Sequence, residues 1–539
     1  MRDSKMLLEA LATIVGLNNV ISSEVYLSEI ETATYSTNQK INCVVKPRDK
    51  FELQKCIVLA NEYEVSVYII SGGKNWGYGS RVPVWDQSIV FDLAHLTAIN
   101  DYNETLGYVK IEPGVTYSQL FSFLRKKNSE LLISITSSSK DSSIVGNIME
   151  RGIGTGLYAD RLSNACCFEV LLPTGEFITT GFGNKSNAVS ANVYKWGVGP
   201  YTDGLFTQSN LGIVTELTLW LMPCPDYFQL LFYQINDLDK FSFFTDSLQK
   251  LMMKGLVRPT VSLFNFHRII ATVGKYPWEH SDAISKTKAI NKIELIKKEA
   301  NAVIDVGLWN GEISVRGIDK EHADMQTNFI KKTIAPFIEK LVVYEFSKNE
   351  MLLLLNEDKD TVNTENQDED LVKNFLIKKY LGIPSDNAIH QCYWKKKGEI
   401  PLLLDPDKDG CGLLWFSPIV PFQSVYLNKA INTIESIVEK YGFDPAISLQ
   451  CMSERCIHII ASISWDREVK DEDEKAINCY KELRKTLNEA GFHFYRESTL
   501  SMIEPHNDNN YDYFLQKIKK SLDPKNILAP GRYIKNKNL

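Results

Sequence analysis

The ten cysteines of this 539-residue chain form no CxxC pair, and only Cys166 and Cys167 are adjacent. That spacing excludes a disulfide framework and gives the expectation of reduced, buried thiols in a cytoplasmic protein. The eight histidines are as scattered, so no metal-ligand spacing emerges. No run of about 18 apolar residues occurs, and none is expected to cross a membrane. The apolar run Leu7 to Leu17 is broken by Glu9 and ended by Asn18, and it reads as an amphipathic surface helix, not a leader. A net charge of -7 offers nucleic acid no basic face. No haem-attachment motif is found. What remains is ordinary globular composition, 44% hydrophobic and 24% charged, in a chain long enough for roughly two to four domains.

Three glycine-bearing segments stand out. The first follows a short strand (Val65–Ile70) and runs Ser71-Gly-Gly-Lys-Asn-Trp-Gly-Tyr-Gly79. Its glycines uncover backbone N–H groups and let a bulky anion such as a pyrophosphate approach the main chain. The second is Ser143-Ile-Val-Gly-Asn147 with Glu150-Arg-Gly-Ile-Gly-Thr-Gly156, preceded by a run of serines. The third joins Gly204, Ser209, Asn210 and Gly212 to a strand Ile213–Leu221. Around them strands (42–45, 88–92, 108–112) alternate with helices, one capped by Asp49 and one opened by a Thr116/Gln119 capping box, and a hairpin spans 168–180. The pattern favours a nucleotide-binding domain of α+β or α/β type.

Pro223-Cys-Pro225 marks a domain boundary. Beyond it, elements are expected as strand 230–233, helix 239–253, strand 261–266, helix 283–300, strand 302–308, helix 320–340 and strand 341–346. An acidic run, 356–370, reads as a solvated loop. The pattern restarts as strand 412–419, helix 427–441, strands 446–451 and 457–464, helix 472–490 and strand 492–496. This is a β-α-β-β-α-β order, and two such units predict a large antiparallel sheet covered by helices, a substrate domain. A tail helix (511–522) precedes an extended Asp523–Arg532 segment whose Gly531 and Arg532 are placed to return to the first domain.

Several of these segments resemble the vanillyl-alcohol oxidase and p-cresol methylhydroxylase family. They are Gly73-Lys-Asn-Trp-Gly-Tyr-Gly79, Val109–Thr116, Val145–Gly152, Gly197–Phe206, Ser209–Thr215, Trp220–Pro223, Trp415–Ile419, Phe494-Tyr-Arg496 and Asp523–Gly531. The resemblance implies an α+β protein with an FAD-binding domain of the p-cresol methylhydroxylase type and a cap domain. The expected division is a helical segment 1–37, the FAD domain 38–225, the cap 226–497, and a segment 498–539 returning to the FAD domain. FAD would be held by Ser71, Gly72, Gly73, Lys74, Asn75, Gly77, Ser143, Gly146, Asn147, Arg151, Gly152, Gly212, Ile213, Val214 and Arg532. Tyr78, Tyr495 and Arg496 fall where the family binds a phenol as phenolate, a small aromatic substrate oxidised by hydride transfer through a quinone methide.

Three departures accompany the resemblance. Ser138 stands where the family has an aspartate near the flavin, and a serine takes no proton at neutral pH. Thr155 replaces a tyrosine. Leu413 replaces the histidine that bonds to flavin, so FAD is expected to be non-covalent, with Cys411 or Tyr393 as minor alternatives for a link. A homodimer and an acceptor that is oxygen or unknown complete the expectations. Two rival readings stay open: an FAD oxidoreductase acting on a non-phenolic alcohol, amine or carboxylate, and a catalytically impaired flavin-binding protein.

Overall fold

The computed structural model describes residues 2–276, 278, 306–356, 373, 376–503 and 509–535. The expected helix 283–300, most of the strand 302–308 and nearly all of the acidic run 356–370 lie outside these residues. Apolar side chains of the N-terminal helix Arg2–Val15 (Leu7, Leu11 and Val15) pack into one core with the helix Lys50–Glu62, whose Asp49 cap accepts from Phe51 and Glu52.

The strands Ile41–Val45, Ser88–Asp92 and Val67–Ile70 pair in parallel, with Val20–Ile21 antiparallel at the far edge. A second, antiparallel sheet runs Ile99–Asn103, Tyr108–Ile111, Ile213–Trp220, Ala165–Leu171, Phe177–Thr179. The chain end returns as the sequence suggests. Val67 N–H donates to Ile527 O at 2.8 Å and Ala529 N–H to Val67 O at 2.7 Å, so the tail lies along the strand that feeds the first glycine segment.

Met222–Pro223 pairs with Leu131–Leu132 in a small two-stranded sheet, and the largest sheet is eight-stranded and wholly antiparallel. Its path is Lys340–Ser347, Tyr227–Ile235, Trp309–Gly317, Val261–Asn265, Ala446–Cys451, Cys456–Asp466, Cys411–Phe416, with Ile419–Pro421 also on Cys456–Asp466. Alternate residues of these strands face the helices Leu238–Met253, Lys320–Ile334, Ser424–Lys440 and Glu472–Glu489, and this apolar layer is the largest core. An α+β protein with a helix-covered antiparallel sheet is therefore what the chain forms.

Local expectations fail where one residue redirects the chain. Residues 492–496 are not a strand: a single bridge, Pro418 to Phe494, is all that forms, closed by Ile419 N–H on His493 O at 3.0 Å and Tyr495 N–H on Ser417 O at 3.1 Å. The strand 261–266 stops at Asn265, whose side chain caps a helix, Phe266–Val273, that the pattern does not announce. The helix at Lys320 ends at Ile334 because Pro336 has no N–H to continue the ladder, and the chain passes into a 3-10 turn, Ala335–Phe337. Among the described residues, no helix is long and apolar enough to cross a membrane and no group of three metal-ligating side chains occurs.

Candidate active site

A cavity of about 380 Å³ lies between the glycine segments and the face of the large sheet. On its wall are Ser71, Gly73, Lys74, Asn75, Ser143, Gly146, Asn147, Gly152, Gly212, Ile213, Val214 and Arg532, together with Tyr78, Ser138, Tyr495 and Arg496. Three expected cofactor residues are placed elsewhere. Gly72 turns with φ +76° and gives its N–H to Asp92 Oδ1 at 3.0 Å. Gly77 packs beneath Trp415, where a Cβ would come within 2.2 Å of the indole. Arg151 is exposed and donates to Thr207 Oγ1 at 3.0 Å; its side chain points away from the cavity, and the segment contributes Glu150 instead.

Glu150 organises the site. Its carboxylate pairs with Arg532, lies 3.4 Å from Arg496 Nε, and accepts from Tyr533 Oη at 2.7 Å. Burial works to raise this carboxyl, but Arg532 and Arg496 outweigh it and hold it below the ordinary carboxylate range. One carboxylate against two guanidiniums leaves the cluster with a net positive charge. Arg496 Nη2 donates to Asn75 Oδ1 at 2.5 Å, and its guanidinium carbon sits 4.1 Å from the Tyr78 ring centre. Its Nε finds no aligned hydrogen-bond acceptor, so the head retains donors.

The two tyrosines reach the cluster from different parts of the chain. The Tyr78 hydroxyl lies 3.2 Å from Ser417 Oγ. Tyr495 is fixed through its backbone, its N–H on Ser417 O at 3.1 Å and its carbonyl accepting from Gln208 Nε2 at 2.9 Å. Burial raises both phenols above their ordinary value, with Arg496 opposing, so both stay protonated as donors near neutral pH. The His458 ring stands 5.1 Å from Tyr495. Burial drops this imidazole to about 4, with Asp160 opposing. A folded value below the ordinary 6.5 means the neutral form favours the fold. That contribution is whole above pH 6.5 and is lost as pH falls toward 4. The thermal midpoint of the wild type is thus expected to fall more steeply on acidification through this window than that of His458→Phe, as differential scanning fluorimetry would show.

Sequence reasoning missed Glu150, Ser417 and Gln208, and it also missed Arg268 from the unannounced helix. Glu150 had a signal, a lone acid among phosphate-type glycines. Arg268 had none, because the fold alone brings it to the cavity. Ser138 is on the wall, its Oγ 3.4 Å from Ser142 Oγ. Glu150 is the sole carboxylate among the described lining residues, and no histidine is among them. Leu413 lines the cavity; Cys411 and Tyr393 do not, and the Tyr393 hydroxyl donates to Asp409.

The wall fits a dinucleotide. Ser209 Oγ and Asn210 Oδ1 are buried there without partners, and a Cβ at Gly212 would meet Val170 and Phe206. Residues 41–181 match the model of an FAD binding domain. The chain is 36% identical over 527 residues to the 1'-carboxy-chondrochloren decarboxylase of Chondromyces crocatus, covering 98% of this chain and 96% of that protein. It is 26% identical over 486 residues to the 4-cresol dehydrogenase [hydroxylating] flavoprotein subunit of Pseudomonas putida, covering 89% and 85%. Two solved structures share the fold at a TM-score of 0.85, each covering 100% of this chain and 98% of its own: p-cresol methylhydroxylase with substrate bound, at 23% identity, and the isoeugenol complex of 4-ethylphenol oxidase from Gulosibacter chungangensis, at 21%. The fold and these relatives define an FAD-dependent oxidoreductase. The chain belongs to the vanillyl-alcohol oxidase and p-cresol methylhydroxylase family, and FAD is its cofactor.

Proposed function

We propose that this enzyme oxidises a 4-hydroxyphenyl substrate at its benzylic carbon and that the oxidised substrate then loses carbon dioxide. Tyr78 and Tyr495 donate to the phenol oxygen and Arg496 supplies the cation, so the phenol binds as phenolate. The net positive charge that Glu150 leaves on Arg496 and Arg532 favours that anion in a water-poor cavity. FAD, when bound, supplies a two-electron acceptor for hydride. Loss of hydride from the benzylic carbon draws an electron pair from the phenolate and leaves a quinone methide. With a carboxylate on the next side-chain carbon, cleavage of that C–C bond sends its electron pair into a new C=C bond. The ring recovers its pair as phenolate, carbon dioxide leaves, and no proton moves.

The observation that carries this reading is the absence of a free base among the described lining residues. Glu150 is locked between two arginines, and Ser138 stands where the family resemblance places an aspartate. Hydration needs a proton acceptor for the attacking water; decarboxylation needs none. A relative named as a decarboxylase at 36% identity points the same way. Anaerobic incubation of the FAD-loaded protein with 3-(4-hydroxyphenyl)propanoate tests it. Bleaching of the oxidised flavin with 4-vinylphenol and carbon dioxide in equal amounts is expected; the benzylic alcohol as main product would overturn it.

Two further outcomes follow from the same site. Ser138→Asp puts a base at the cavity wall and is expected to divert product from the vinyl compound toward the hydrated alcohol, read by liquid chromatography of the products. The cofactor is held without a covalent bond on this reading, Leu413 offering no nucleophile. Acid precipitation is then expected to release all FAD into the supernatant, and yellow colour retained in the pellet would refute the point.

A further inference from the structure

The cap side of the cavity carries two cations of different status. Lys379 is neutralised by Glu312, which also accepts from Tyr380 Oη at 2.9 Å. Arg268 has no carboxylate partner among the described residues, its Nη1 is buried without an acceptor, and its guanidinium carbon lies 5.0 Å from the Trp415 ring centre. Burial drops its guanidinium to about 10, with Cys392 opposing. Its place in the fold is fixed through the backbone. Asn265 Oδ1 accepts from Arg268 N at 3.0 Å and from Ile447 N at 2.9 Å, while Asn265 Nδ2 donates to Pro445 O at 2.6 Å. The first turn of the helix is thereby pinned to the neighbouring strand.

A buried guanidinium without a counter-ion is costly unless an anion joins it. We propose that Arg268 is the carboxylate anchor of this cavity, receiving an acid group on the side chain of the aromatic substrate. The inference rests on the phenol reading for which end of the substrate it receives. Ser417, which fixes Tyr78 and Tyr495, follows Trp415, on which Arg268 stacks, by two residues. Two residues of extended chain advance roughly 7 Å, comparable with the reach from a phenol oxygen across the ring to a short side chain. Charge agrees as well. The Glu150 cluster has one positive charge to spare for a phenolate and Arg268 has one for a carboxylate. Held by a fork of donors at the acid end, the bond to be broken is fixed relative to the ring.

The test uses FAD-loaded protein and two probes without a phenol hydroxyl, 3-phenylpropanoate and 3-phenylpropanamide, with affinity read from the shift they cause in the flavin spectrum. The wild type is expected to prefer the acid by about tenfold or more (~1.4 kcal/mol). Arg268→Gln is expected to bring the ratio to about one. No preference in the wild type, or an undiminished preference in Arg268→Gln, would overturn the proposal. Should Arg268→Gln not load FAD, Arg268→Lys decides: a point charge without the fork should lower the preference several-fold, and an unchanged ratio refutes the anchor. Flavin bleaching by 4-ethylphenol separates the two ideas. Without bleaching but with an Arg268-dependent preference, the phenol reading falls and the anchor stands. With bleaching and a preference that survives Arg268→Gln, the anchor alone falls.

Discussion

Arg496→Met is expected to slow flavin reduction by a 4-hydroxyphenyl substrate by about a thousandfold. Removing one donor to an oxyanion costs roughly 10²–10³ in rate, and here the donor is also a buried cation. The substitution takes the charge of the Glu150, Arg496 and Arg532 cluster from +1 to zero, leaving nothing to offset a phenolate in the cavity. It also removes the group packed on Tyr78 and bonded to Asn75. The pH profile identifies the cause. A wild type that ionises bound phenol should be nearly flat around neutrality. The variant should instead climb with pH toward the ordinary phenol value of about 10, because only free phenolate then reacts. Anaerobic stopped-flow measurement gives both quantities. Arg496→Lys should recover part of the rate, since it restores charge without the planar fork. An undiminished rate in Arg496→Met would remove the phenolate anchor and favour a non-phenolic substrate.

Glu150→Gln should be the most destabilising single change at the site. The carboxylate is buried and holds two guanidiniums from different parts of the chain, Arg496 before the tail and Arg532 within it. Without it Arg496 and Arg532 are two like charges in a low-dielectric space, and breaking such a buried pairing costs about 3–5 kcal/mol. The unfolding midpoint is expected to fall by several degrees, with FAD retained less tightly because Arg532 anchors the returning tail. Scanning fluorimetry, following protein unfolding and flavin release together, reads both effects. Added chloride should restore part of the loss by supplying a counter-anion, whereas it should do little for the wild type. Tyr533→Phe removes only one hydrogen bond to the same carboxylate and should cost about 1–2 kcal/mol. Equal midpoints for Glu150→Gln and the wild type would show that the carboxylate is not the keystone of the cluster.

The residues that sequence reasoning brought to the cavity share a property: each sits in a segment whose local chemistry is unusual. Gly73, Gly146, Gly152 and Gly212 break their surroundings, and Tyr78 and Tyr495-Arg496 carry recognisable motifs. The residues that lie off the cavity wall share a property too. Arg151 and Glu150 are neighbours in one motif, yet side-chain direction sends Arg151 to Thr207 and Glu150 to Arg532. Gly77 reads as a phosphate glycine, but its missing Cβ makes room for Trp415, a residue 338 positions further along (415 less 77). Arg268 was invisible because its helix follows directly from a strand, with Asn265 as the switch.

Local patterning, then, determined the elements and their class. Apolar alternation at period 2 and 3.6 marks strands and helices wherever one face must be buried, and glycine marks where the backbone must turn or be approached. The antiparallel sheet was legible in the order of those elements, and the returning tail in Gly531 and Arg532 together with the family resemblance. Pairing across the fold was decided only by tertiary structure. Glu150 reads as one acid among sixty-seven acidic residues until Arg496 and Arg532 are brought to it, and Arg268 is an ordinary surface charge until burial strips away its water. A charge acquires its function from the dielectric and the counter-charges around it, and those are properties of the packed chain, not of its order.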